Sequence, residues 1–134
     1  MAIRVNLLDR ADALLAEAVG ARDPSDRFRA AYLAALRGAG AALRGRTPRS
    51  GSRSAWALLS RAAPELAGWP EFFAEHSETR AAIEAGISRT ITWAEADRFH
   101  AEVSRFLTVV EGYLADLDGR TGLGGESGLA RTSA

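Results

Sequence analysis

Two residue types in this chain offer chemistry at defined places. They are histidine, present twice, and arginine, present seventeen times. His76 stands four residues after Phe72 and seven before Ile83, on a stretch with helical spacing. Such a histidine can act as a general base or contact a nucleotide. The commoner use is packing at the edge of an aromatic cluster, and that is the role expected here. His100 stands one heptad before Leu107, with Asp97 and Arg98 near it in sequence. Imidazole beside a carboxylate moves protons near neutral pH, but a structural role is again the expectation. Two histidines on different helices without clustered ligands do not make a metal site, so no metal is expected.

The arginines are distributed unevenly. Between Asp26 and Glu65 there is no acidic residue, while Arg27, Arg29, Arg37, Arg44, Arg46, Arg49, Arg53 and Arg61 all fall there. The formal net charge of zero therefore hides a block of +8 beside a remainder of −8. Guanidinium pairs bidentately with phosphate and stacks on bases. Arg44, Arg46, Arg49 and Arg53 bracket a Gly/Pro/Ser-rich segment at 45–52, and binding residues often sit on such loops. These four are the candidate binding residues. The competing use is pairing with acids on adjacent helices or across a dimer, and overall neutrality favours it, since nucleic-acid domains are usually basic.

Other chemistries are poorly supported. The chain has no cysteine, which excludes disulfides, thiolate zinc sites and cysteine nucleophiles and fits a reducing, cytoplasmic setting. Arg4, Asp9, Arg10 and Asp12 leave no uncharged core for a signal peptide, and no run of about 18 apolar residues suggests a membrane span. Gly122, Gly124 and Gly125 lie without strand or helix around them, so they do not read as a phosphate loop, and no cofactor is expected. Arginine has replaced lysine completely, and alanine abounds. That is the codon signature of a GC-rich bacterial genome.

The elements that must position these residues are helical. Leu7, Leu8, Ala11, Leu14, Leu15, Ala18 and Val19 form one stripe of a helix over 6–19. Pro24 opens a second helix, 25–44, with Phe28, Tyr32, Ala35, Leu36, Ala39 and Leu43 on its apolar face. Gly38 and Gly40 weaken that helix or let a neighbour approach. A third helix starts near Ser52 and carries Trp56, Leu59 and Ala63 until Pro64 ends or kinks it. A fourth begins at Trp69–Pro70 and stops at Gly86. Thr92 and Glu95 make a capping box for a last helix over 93–117, whose stripe Phe99, Val103, Phe106, Val110 and Leu117 is broad enough for two neighbours. The three tryptophans, near helix starts, read as core anchors. The expected architecture is an all-α, up-and-down bundle of four to five helices over 1–118, with a flexible tail at 119–134.

The segment from Arg29 to Leu117 resembles a small actinobacterial, streptomycete-type family of HEPN-domain proteins. The resemblance rests on Ala-Tyr-Leu-Ala-Ala-Leu-Arg at 31–37, Ser-Ala-Trp-Ala-Leu-Leu at 54–59, Ala-Pro-Glu-Leu-Ala-Gly-Trp at 63–69, Phe72-Phe73, and Glu-Ala-Asp at 95–97. It implies a helical bundle that often dimerises and acts either as a ribonuclease or as a non-catalytic partner of other proteins. The ribonuclease members share an arginine followed, after four to six residues, by a histidine. Here the positions before His76 are Trp69, Pro70 and Glu71, and those before His100 are Trp93, Ala94 and Glu95. Neither set contains arginine, so no catalytic residue is assigned.

Taken with the broad stripe of the last helix, the resemblance implies a non-catalytic interaction module that binds a protein partner as a homodimer. RNA or nucleotide binding by the 44–53 segment and divergent ribonuclease activity are the alternatives. If that segment binds nucleic acid, Arg46→Glu with Arg49→Glu should weaken a steeply salt-dependent binding without unfolding the protein. If the arginines pair internally, the same variant should lower the melting temperature instead.

Overall fold

A computed structural model describes the backbone of residues 2–44, 51–86 and 91–126, and the side chains of 6–44, 54–86 and 91–119. Among the described residues five helices follow one another: α1 (Ala2–Val19), α2 (Pro24–Ala42), α3 (Gly51–Ala62), α4 (Trp69–Glu84) and α5 (Trp93–Glu126). A single 3-10 turn, Pro64–Leu66, joins α3 to α4. No strand occurs among the described residues.

The helix starts follow from local chemistry. Asp23 caps α2, its carboxylate accepting the Asp26 N–H at 2.9 Å, and Pro24 takes the first turn where a missing N–H costs nothing. Glu71 accepts the Gly68 N–H at 3.1 Å at the head of α4. The Thr92–Glu95 box is present in both directions, at 2.9 and 3.0 Å. Gly86, at φ +75°, ends α4 in a conformation that side chains resist.

Helix α5 runs to Glu126, past the end expected near Leu117 and into the segment read as a tail. No proline interrupts that segment. Extending a helix already formed costs at most about 1 kcal/mol per glycine. Residues 127–134, the rest of that segment, lie outside the described residues.

Helix α2 lies at the centre and packs against α1, α3, α4 and α5. It buries Ala30, Ala31, Ala34, Ala35, Ala39, Ala41 and Ala42 with Phe28 and Tyr32. Gly38 is the closest approach. A Cβ there would lie 2.5 Å from the Leu107 side chain of α5, so this glycine brings α5 in, one of the two roles anticipated for it. The α5 stripe from Phe99 to Leu114 is buried within the one chain. Its breadth is used up by the bundle itself and leaves that face no need of a second copy.

Aromatic rings close the core. The Trp56 indole N–H donates to the Tyr32 hydroxyl at 2.8 Å, both side chains being buried. Trp56 also stacks on Phe73 with centroids 4.7 Å apart. Two apolar residues depart from their expected places. Val19 is 61% exposed, because the chain turns away directly after it, and Trp93 is 42% exposed. Trp93 covers an arginine instead of anchoring the core, so of the three tryptophans Trp56 is fully buried and Trp69 packs against the core from its edge.

Tyr32→Phe should destabilise the bundle by about 1–3 kcal/mol, since it strands a buried indole N–H without altering the packing. Chemical denaturation of the variant checks this, and an unchanged midpoint would mean that water replaces the hydroxyl.

Candidate functional site

Three polar groupings compete for the role of functional site, and each is set by the helix that carries it. The first is a cleft of ≈ 370 Å³ between α4 and the first turns of α5. Phe28, Phe72, His76 and Phe99 line its apolar side, and Thr79, Glu95, Arg98 and Glu102 its polar side. His76 packs on Phe72 and Phe99, with centroids 4.5 and 5.0 Å away. Its Nδ1 lies 2.7 Å from the Phe72 carbonyl. A carbonyl only accepts, so Nδ1 is the donor. His76 thus sits at the edge of an aromatic cluster, and that cluster walls a cleft.

His100 is elsewhere. Its Nε2 lies 3.0 Å from the Leu15 carbonyl and joins α5 to α1. The two histidines belong to different groupings, and no set of metal-binding side chains occurs among the described residues.

The second grouping is Arg27. Its Nε donates to the Ala18 carbonyl at 3.0 Å and its Nη2 to the Val19 carbonyl at 2.8 Å. These carbonyls lie in the last turn of α1, where they lack the usual i+4 helical partner and a cation is also favoured by the helix dipole; the Ala18 oxygen accepts the Ala21 N–H as well. Its Nη1 pairs with Asp97, and its guanidinium lies 4.5 Å over the Trp93 ring. Sequence reasoning counted this arginine only as one of the basic block. The signal was a helix end, Ala18–Val19, within ten residues of a buried-phase arginine.

The third is the remaining arginine block. Arg46 and Arg49 lie outside the described residues, and Arg53 falls in the first turn of α3. Arg44 is exposed and closes α2 at φ +57°. Arg29, Arg37, Arg44 and Arg61 make no ion pair among the described residues. Internal pairing, expected for the block, is realised at Arg27. Helices α2 and α3 carry no acid after Asp26, so a pair for the others would have to come from another helix, as Asp97 does for Arg27. Arg29 and Arg37 share one outward stripe of α2 with half-buried Leu33 and Leu36, all four falling at i, i+4, i+7 and i+8, and Arg44 lies just past the end of the helix.

No helix is long and apolar enough to cross a membrane among the described residues. These features define a small all-α bundle of the HEPN type. The chain belongs to the SAV_6107-like HEPN family, whose model matches residues 18–111. No curated protein matches it, and no solved structure does. The matched region takes in α2, α3, α4 and most of α5, and leaves nearly all of α1 outside.

Arg27→Lys should destabilise the protein by about 1–3 kcal/mol, nearly as much as Arg27→Ala. An ammonium cannot reach two carbonyls, a carboxylate and a ring face at once. Thermal melts of the two variants test this, and full rescue by lysine would reduce the role to simple charge.

Proposed function

We propose that this protein is a non-catalytic HEPN-type interaction module that binds a protein partner through the open stripe of α2. The observation that supports this most directly is the composition of the stripe. Arginines that make no ion pair among the described residues stand beside half-buried leucines, from Arg29 to Arg37, along about 12 Å of helix. Arginine among apolar side chains is characteristic of protein interfaces, where the leucines exclude water and the guanidinium groups find carboxylates.

Arg44 adds to this reading. Its left-handed backbone suits glycine and costs an arginine on the order of 1 kcal/mol. Retaining a charged side chain there makes sense if a partner meets it. The partner's chemistry is apolar with acidic flanks. A second copy of this chain meets that description, since its seventeen acids all lie outside residues 27–64, and homodimerisation is included in the proposal.

RNA or nucleotide binding is the second reading. It rests on the same unpaired arginines and does not use the leucines. The two are separated by one set of variants. Arg37→Glu with Arg44→Glu should abolish association of either kind, while Leu33→Ala should disrupt a protein complex and spare nucleic acid. We expect light scattering to show self-association that falls with salt and with both changes. Tight, salt-dependent binding of a labelled RNA that is unaffected by Leu33→Ala would overturn the protein reading in favour of RNA.

A further inference from the structure

The polar groups of the α4–α5 cleft are not equally engaged. Glu95 Oε1 accepts the Thr92 N–H at 2.9 Å and serves the cap of α5. Glu102 meets Arg105 at 3.3 Å in an i,i+3 pair whose arginine is 65% exposed, a kind of pair that holds its members weakly. Arg98 makes no ion pair among the described residues. Its natural helical partners, three residues before and four after, are the two glutamates already engaged. A guanidinium is therefore left open at the rim of a cleft walled by Phe72, His76 and Phe99.

We infer that this cleft binds a free α-amino acid with an aromatic side chain. The ring lies against Phe72, His76 and Phe99, where offset and edge contacts are favourable. The carboxylate is held by Arg98, whose planar fork matches it with two parallel hydrogen bonds. The ammonium is held by Glu102, which exchanges its weak surface pair for the ligand. Arg98 and Glu102 stand one helical turn apart, about 5–6 Å between Cβ atoms, so a head group with both charges on one carbon fits between them.

Charge excludes the neighbouring ligand classes. Arg98 stands between two glutamates, one of them paired with Arg105, so the rim has no surplus of positive charge to attract a phosphate or a polyanion. A purely cationic aromatic amine would leave the guanidinium unpaired, and an aromatic acid would gain nothing from Glu102, which would keep its pair with Arg105. The zwitterion matches both. The size agrees: ≈ 370 Å³ is in the lower range of small-molecule pockets and takes one amino acid, not a folded peptide segment.

Calorimetry on the full chain tests this with three probes: L-tryptophan, indolepropionate, which lacks the ammonium, and tryptamine, which lacks the carboxylate. We expect L-tryptophan to bind with a Kd of about 1 mM or tighter, and each truncated probe at least about fivefold more weakly. Arg98→Gln should weaken tryptophan and indolepropionate and leave tryptamine unchanged. Glu102→Gln should weaken tryptophan and tryptamine and leave indolepropionate unchanged. Both positions are at the rim, and circular dichroism verifies that the variants fold. Absence of tryptophan binding at about 10 mM, wild-type affinity in Arg98→Gln, or tighter binding of tryptamine than of tryptophan would overturn the assignment.

Discussion

Helix α2 touches every other helix of the bundle, and a helix so enclosed has room for little beyond methyl groups on most of its circumference. Its alanines answer that constraint, and Gly38 answers it where α5 comes closest. Close packing of small residues lets the neighbouring helices approach the axis of α2, but it leaves little apolar volume in the middle. The volume is supplied from outside the axis, by Trp56, Phe73, Phe99 and Phe106. These rings gather on the side of α3, α4 and α5. The aromatic wall of the cleft is therefore the outer edge of the core, and not a separate construction.

The same constraint decides where charge can stand. A central helix offers solvent a single stripe, and α2 fills that stripe with arginines and leucines. Only at its first turn does an arginine come within reach of backbone carbonyls and an acid, and there Arg27 is fully engaged. A run of like charge in sequence thus separates into one structural arginine and several open ones. The boundary between them is geometric.

Much of the fold was legible because periodicity and capping are local. Thr92 with Glu95, Pro24, Pro64 and Gly86 mark their boundaries through backbone chemistry that needs no neighbour. The far end of α5 was not legible, since glycines there suggest a stop that a long preformed helix overrides. Nor was the exposure of Trp93, which depends on an arginine sixty-six positions earlier. His76 illustrates the same limit at the site. The sequence placed it at an aromatic edge, correctly, yet Arg98 joins it only through the packing of α4 on α5. Spacing within one helix is blind to residues that line one cleft from two helices.

Helix α1 is fastened in an unusual way. Arg27 and His100 reach it from α2 and α5, and all the oxygens they find there, on Leu15, Ala18 and Val19, are main-chain carbonyls. Main-chain atoms are the same whatever side chains surround them. These two side chains therefore recognise a helix that terminates at the right place, whatever its sequence there. Apart from Ala11 and Ala18 and the leucines Leu7, Leu8, Leu14 and Leu15 that pack against the core, the first helix is free to change its outward residues, and with them whatever that surface presents to other molecules, without loosening its hold on the bundle.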